Sequence, residues 1–160
     1  MTENLPRPAQ EADFEPLARL WQEGWIEAHE EHVPPALTRL RTREDFLRRL
    51  YEFGDRLRIC GPVGAPLGFC AIAGDHLDQL FVAPAARSTG IAATLLSDGE
   101  ARLAQSGVRR ALLDCVIANT RARRFYSRCG WKERGIETAV LDTSQGPFEM
   151  DCVVFEKILR

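Results

Sequence analysis

Residues 80–96 read Leu-Phe-Val-Ala-Pro-Ala-Ala-Arg-Ser-Thr-Gly-Ile-Ala-Ala-Thr-Leu-Leu. This order predicts an apolar strand that passes through a turn at Pro84 and a loop of small residues into a helix. The first backbone N–H groups of a helix have no partner within it, and with the positive end of the helix dipole they attract phosphate. Ser88, Gly90 and Ala92 are small enough for a pyrophosphate to reach the backbone. The stretch therefore predicts a site for a phosphorylated ligand, against the plainer interpretation of an ordinary strand–turn–helix connection.

A second segment supports the first. Residues 119–131 read Asn-Thr-Arg-Ala-Arg-Arg-Phe-Tyr-Ser-Arg-Cys-Gly-Trp. Together the two segments resemble the motifs of the GCN5-related N-acetyltransferase superfamily. Its acyl-CoA loop, Arg/Gln-x-x-Gly-x-Gly/Ala after Val-x-Pro, stands here as Arg87-x-x-Gly90-x-Ala92 after Val82 and Pro84. Its Asn-x-x-Ala-x-x-Phe-Tyr-x-x-x-Gly-Phe motif stands here with Trp131 as the last residue.

Size and composition restrict the possibilities further. A chain of 160 residues fits one domain, residues 1–160, and 45% hydrophobic with 28% charged residues is typical of soluble globular proteins. A net charge of −2 disfavours nucleic acid as the main partner. The N-terminus lacks an apolar signal core and no apolar run is long enough to span a bilayer, so we expect a cytoplasmic protein with no membrane partner.

The histidines and cysteines lack metal-ligand spacing, so we expect no metal. We interpret the cysteines as free, mostly buried thiols: Cys60, Cys70, Cys115, Cys129 and Cys152.

The pattern of apolar residues predicts an α/β fold in the order strand, two helices, three strands, helix, strand, helix, two strands. The superfamily has the same order, which implies a mixed central sheet of about six to seven strands flanked by about four helices. The resemblance also implies a splay between the strands at 76–82 and 111–117. The predicted elements are a short edge strand at 5–9, helices from 13 and from 43, strands at 56–60, 67–73 and 76–82, a helix at 90–106, a strand at 111–117, a helix from 119, and strands at 131–141 and 150–159.

The resemblance implies that acetyl-CoA is the co-substrate and that Tyr126 is the general acid that protonates the leaving thiolate. A phenol has an ordinary pKa of about 10, so it stays a donor at neutral pH. Asn119 would contact the pantetheine arm or a water near it, and the backbone N–H of Phe81 or Val82 would bind the thioester oxygen. Plainer interpretations are that Asn119 only caps a helix and Tyr126 only fills the core. The cofactor-binding residues implied are Leu80, Phe81, Val82, Arg87, Ser88, Thr89, Gly90, Ile91, Ala92, Ala93, Asn119 and Phe125.

The general base is less clearly marked. Many relatives carry a Glu on the strand before the loop, and the strand at 76–82 has none. Counting back from Arg87, His76 and Asp78 match the positions of two histidines in the arylalkylamine N-acetyltransferases, so either could pass the proton to solvent. His76 has the more suitable ordinary pKa, about 6.5 against about 3.9 for an aspartate. Strict alternation along the strand predicts His76, Asp78, Leu80 and Val82 on one face. The plainer interpretation is a polar residue beside a turn.

For the acceptor, aromatic and acidic residues near the N-terminal helices suit an ammonium group, and we single out Trp25, His29 and Tyr51. Core packing is the competing interpretation for Trp25. The sequence thus predicts an enzyme that transfers the acetyl group of acetyl-CoA to a primary amine by direct attack in a ternary complex, with a small-molecule amine as acceptor. The alternatives are a non-catalytic acyl-CoA-binding or sensing module, and an acetyltransferase that acts on a protein N-terminus or lysine. A homodimer is a further possibility that the resemblance raises.

Overall fold

The computed structural model describes residues 4–160 and contains one mixed sheet with five α-helices against it. The sheet order is β1-β2-β3-β4-β5-β7-β6, and every neighbouring pair is antiparallel except β4 and β5. The predicted mixed α/β fold is confirmed. The strands are β1 (Arg7–Pro8), β2 (Leu57–Cys60), β3 (Gly68–Ala73), β4 (His76–Val82), β5 (Arg110–Cys115), β6 (Lys132–Thr143) and β7 (Gly146–Ile158). The helices are α1 (Glu11–His29), α2 (Pro35–Leu40), α3 (Arg43–Phe53), α4 (Ile91–Gln105) and α5 (Thr120–Arg128).

Two parts of the chain differ from the prediction. Between the two predicted N-terminal helices the chain forms an additional six-residue helix, α2, which begins at Pro35 because the fixed φ of proline suits the first helical position. The strands of the last hairpin are longer than predicted, and the turn between them is only Ser144 and Gln145. Within residues 4–160, no helix is both long enough and apolar enough to cross a bilayer.

The sheet separates two hydrophobic cores. One lies between the sheet and α4 and α5, and we call it the α4–α5 core; Leu95 and Phe155 are fully buried in it. The other lies under α1 and α3, and we call it the α1–α3 core; Trp21 and Phe46 are buried there. Gly99 lets α4 approach the sheet closely, because a Cβ atom at this position would lie 2.8 Å from a side-chain carbon of Leu77.

The parallel strands β4 and β5 diverge soon after they meet. Their ladder contains one pair, His76 with Leu112, whereas the pairing of β3 with β4 runs on to Val82. We call the opening between them the β4–β5 gap. It is the splay that the resemblance implied, and it leaves backbone groups of β4 facing β5 without a strand partner.

A β-bulge at Asp78 changes which face each residue of β4 occupies. Gln79 pairs with Ala71 but Leu77 pairs with Ile72, so Asp78 has no partner on β3. Leu77, Leu80 and Val82 therefore all contact the α4–α5 core, while Phe81 packs on the α1–α3 side. The predicted strict alternation was wrong because it did not include this extra residue: His76 and Asp78 do not share a face with Leu80 and Val82.

Candidate active site

The loop before α4 presents backbone rather than side chains. Ser88 and Gly90 both have positive φ, 63° and 87°, and Gly90 is the N-cap of α4. No side chain caps this helix, so the N–H groups of its first turn, Ile91 to Ala93, have no intrahelical partner. The Thr89 hydroxyl donates to the Ala86 carbonyl and fixes the loop from within. Successive backbone N–H groups with alternating φ form the concave anion site that a pyrophosphate fits.

The register of β3 and β4 decides which backbone N–H groups face the β4–β5 gap. Ala83 donates its N–H to Leu67 on the β3 side at 2.8 Å. In an antiparallel pair every second residue is bonded to the partner, so Phe81 also points its N–H at β3. The N–H groups of Leu80 and Val82 point at the gap instead. Of the two donors expected for the thioester oxygen, Val82 therefore fits and Phe81 does not.

Tyr126 lies on the α4–α5 side of the gap. Its side chain is 9% exposed and packs against Trp131 and Phe155, with ring centroids 6.4 and 5.8 Å away. Burial raises the pKa of the phenol above its ordinary value, and the nearby thiols, led by Cys115 on β5 and Cys70 on β3, raise it further. Since these strands flank β4, the hydroxyl lies beneath the diverging strand. It is protonated at neutral pH, so it can donate its proton there.

Asn119 has two roles within the protein. Its side-chain oxygen accepts from the Ala122 N–H at 3.2 Å, so it caps α5, and its Nδ2 lies 3.2 Å from Nε2 of His29 at the end of α1. Because the amide nitrogen is the donor, Nε2 of His29 must be the unprotonated acceptor. One amide hydrogen of Asn119 stays available for a ligand. Phe125, one residue before Tyr126, packs against the α4–α5 core.

His76 is held by Asp75, the residue before it in the turn. Nδ1 lies 2.7 Å from Oδ1 of Asp75, while Nε2 lies 4.0 Å from Oδ2 of Asp114 on β5. An ionised Asp75 can only accept, so the neutral imidazole carries its proton on Nδ1. Nε2 is left with a free lone pair, which is the state that a general base needs.

The face of the sheet that carries His76 forms one wall of a cleft of about 520 Å³. Its walls partly desolvate the carboxyls of Asp78 and Asp114, which raises the pKa of both, although both reach solvent. Arg49 and His76 counteract this shift at Asp78. The cleft is lined by polar residues from three strands over an apolar floor: His76, Asp78, Asp114, Arg134, Glu137 and Thr138, with Leu112, Ala139 and Val154. Such a cleft can receive a cationic group next to a base.

The sequence profile of the acetyltransferase (GNAT) family matches residues 14–131. The chain belongs to this family. No curated protein matches the chain in sequence. A GCN5-related N-acetyltransferase from Rhodopseudomonas palustris superposes with a TM-score of 0.73 at 18% identity, covering 99% of each chain. A ribosomal-protein-alanine N-acetyltransferase from Brucella melitensis gives 0.71 at 19% identity, covering 97% of this chain and 99% of that one. The acetyltransferase YncA from Salmonella typhimurium, in complex with acetyl-CoA, superposes with a TM-score of 0.70 at 15% identity, covering 97% of this chain and 93% of that one.

The structure does not bring the three predicted acceptor residues of this GNAT chain together. Trp25 and His29 form an edge-to-face pair 5.6 Å apart at the end of α1, near Asn119. Tyr51 instead stacks on Phe14 and donates to Glu11 at 2.6 Å, at the start of the same helix. Residues 11 and 29 are separated by about 27 Å along an α-helix.

Several residues of the site were not predicted from the sequence. Asp75, Asp114, Glu137 and Arg49 lie on separate elements, and only Asp75 had a signal, its position beside His76 in a tight turn. The five cysteines are free and four of them are buried, as expected. Among residues 4–160, no group of three or more potential ligands is arranged to hold a metal ion.

Proposed function

We propose that this protein is an N-acetyltransferase that transfers the acetyl group of acetyl-CoA to a primary amine by direct attack in a ternary complex. The observation that carries the proposal is the β4–β5 gap, which has a buried phenol on one side and a histidine with a free Nε2 on the other. Acetyl-CoA would supply the acetyl group as an activated thioester. The unpaired N–H groups of the loop and of α4 would bind its pyrophosphate.

Three groups of this chain would handle the reacting atoms. The N–H of Val82 donates to the thioester oxygen, where negative charge develops. His76 accepts through Nε2 the proton that the attacking nitrogen releases. Because His76 and Val82 are six residues apart on β4, waters in the cleft would relay this proton, and Asp75 stabilises the imidazolium that forms. Tyr126 gives its proton to the sulfur as the C–S bond breaks, and regains one from solvent. The amine must be neutral before it attacks.

Asp78 is the second candidate for the base. Its raised pKa brings the carboxyl closer to neutral pH, and it lines the same cleft as His76. His76 is the better candidate because an imidazole is a stronger base than a carboxylate, and because its bond to Asp75 leaves Nε2 free to accept a proton. Asp78 would then attract the positively charged ammonium group of the incoming acceptor.

Two measurements test the proposal. Acetyl-CoA should raise the melting temperature, since it binds only the folded chain, and desulfo-CoA or free pyrophosphate at the same concentration should do so less. Thiol release is then followed across amines, arylamines, polyamines, amino acids, peptide N-termini and lysine peptides. Acetylation of a small amine supports the proposal; acetylation of peptides alone would assign a protein acceptor.

Acetyl-CoA binding with no thiol release from any acceptor would favour the non-catalytic acyl-CoA-binding module. The absence of a Glu from β4 is the feature that favours this alternative. The Asp75–His76 pair is the feature that opposes it, because it supplies an oriented base at the edge of the cleft.

A further inference from the structure

Arg49 on α3 is a buried cation without a hydrogen-bonded partner. Its side chain is 6% exposed, and the guanidinium carbon lies 4.5 Å from the centre of the Trp21 ring. No residue among 4–160 accepts a hydrogen bond from it or forms an ion pair with it within 4.0 Å. Its nitrogen atoms are not fully enclosed, in contrast to the unpartnered Nε atoms of Arg41 and Arg48, so its five N–H donors can be reached from solvent.

The two neighbouring arginines have carboxylate partners, although the Nε atom of each is buried without one. Arg41 donates to Asp45 at 2.9 Å and to the Asp142 carbonyl at 2.6 Å. Arg48 donates to the other oxygen of Asp45 at 2.7 Å and contacts the Asp142 carboxylate at 3.3 Å. These bonds connect the C-terminal end of β6 to α3, and they occupy the carboxylates of Asp45 and Asp142. Arg49 is the arginine of this cluster to which they leave no acceptor.

Arg49 lies beside the cleft. Burial, with the charge of Arg41 as a smaller cause, lowers the pKa of its guanidinium to about 10, although the charges of Asp45, Asp78 and Asp142 act in the opposite direction. Asp78 lines the cleft from β4, and Asp142 follows the part of β6 that lines it from the other side. Because the adjacent Arg48 contacts Asp142, which follows the β6 part of the lining, the cation lies where α3 meets the edge of the cleft, and its contact with Trp21 holds it there.

The charges of the cleft are consequently separated in space. Carboxylates of Asp78, Asp114 and Glu137 surround the base His76, where an ammonium would enter. The unpaired guanidinium lies towards α3. A planar guanidinium binds a carboxylate with two parallel hydrogen bonds, and this is a strong interaction when water is excluded.

We infer that Arg49 binds a carboxylate of the acceptor, so that the acceptor is an amine that also carries a carboxylate, as an amino acid does. This inference rests on the proposed function, because it describes the substrate of that same site. Asp78, between the two charges, would keep Arg49 protonated until the acceptor arrives. Arg49 is thus a specificity-determining residue.

The test uses pairs of acceptors that differ only in the carboxylate: phenylalanine with phenethylamine, and lysine with cadaverine. The wild-type protein should show a kcat/KM about 10- to 100-fold higher for the amino acid of a reactive pair. Arg49→Met keeps the packing on Trp21 and should abolish this preference, mainly through KM, with the decarboxylated amine changed less than about twofold. Arg49→Lys should restore part of it.

Arg48→Met is the matched control, since it removes the same charge from the adjacent position of α3. It should lower the melting temperature and leave the preference unchanged. Equal kcat/KM for both members of every reactive pair, or a preference that survives in Arg49→Met, would overturn the inference while leaving the acetyltransferase proposal intact.

Should no amine be acetylated although acetyl-CoA binds, the proposed function fails and Arg49 is tested by binding alone. N-acetylphenylalanine and N-acetylphenethylamine are compared by thermal shift. Protection of the wild type by the carboxylate-bearing compound alone, lost in Arg49→Met, supports carboxylate binding. Equal shifts with both compounds, or no shift with either, contradict it.

Discussion

On the α4–α5 side of the β4–β5 gap, the cofactor contacts proposed come from the backbone of one loop and from one short helix. On the cleft side, the groups come from side chains on β4, β5, β6 and α3. The first side depends on φ angles and small residues that are consecutive in the chain. The second depends on how four elements are placed relative to one another. Single side-chain substitutions can thus alter the acceptor site without altering the backbone groups that form the cofactor site.

The largest effect is expected where the two sides meet. Tyr126→Phe should lower kcat by about 10²- to 10⁴-fold, the usual contribution of a general acid, with little change in KM for acetyl-CoA. The melting temperature should not fall by more than a few degrees, because the ring still packs on Trp131 and Phe155. Steady-state kinetics with both substrates measures this. Undiminished kcat would remove Tyr126 from the chemistry.

The base is tested on the cleft side. His76→Gln should lower kcat by about 10²-fold, and Asp75→Asn by less, because it removes only the partner that orients the imidazole. Asp78→Asn is the matched comparison in the same cleft. If Asp78→Asn lowered kcat more than His76→Gln did across the pH–rate profile, the two assignments would have to be exchanged.

His29 links the two sides, and its protonation should cost stability. Burial, with His32 as a smaller cause, lowers the pKa of His29 from 6.5 to about 4. The unfolded chain therefore binds more protons than the folded chain between these pH values. The free energy of unfolding is highest above pH 6.5 and falls by up to about 3 kcal/mol as the pH drops towards 4. Thermal unfolding from pH 7 to 4.5 measures it. His29→Gln, which can still accept from Asn119, should reduce this slope, and an unchanged slope would contradict the prediction.

On the cofactor side, Gly90→Val should weaken acetyl-CoA binding by about tenfold or more. A β-branched residue disfavours the φ of 87° that aims the first N–H groups of α4, although open space surrounds the position. Calorimetric titration gives the dissociation constant. Thr94→Val, in the same helix, is a control that should leave binding within about threefold. Equal affinities for wild type and Gly90→Val would show that the loop backbone is not the anion site.

The smallest effect is expected at Tyr51. Tyr51→Phe removes the hydrogen bond to Glu11, which is exposed, and should leave kcat/KM within about twofold for every acceptor. The same assays apply. A tenfold loss would place Tyr51 in the acceptor site after all and show that the site extends along the whole of α1.

The sequence was informative where function depends on local backbone. The loop at 87–92 needs glycine and small residues, and the motif from Asn119 to Trp131 keeps its members on one helix, so both could be predicted. The cleft could not be predicted, because Asp114 and Glu137 come to line it together with His76 only through sheet register. The bulge at Asp78 shows why: one unpaired residue invalidates the alternation from which faces are assigned.

That same residue is a candidate for an evolutionary insertion. If Asp78 were deleted, Leu77 and Gln79 would alternate regularly, and Leu80, Phe81 and Val82 would keep their present faces, so both cores would survive. A bulge bends its strand, and this one lies just where β4 leaves β5. Without it, β4 could continue the parallel ladder and close the passage through the sheet. A closed α/β sheet would then differ from one that is open between β4 and β5 by one surplus amino acid, which supplies both the bend and a carboxylate beside it.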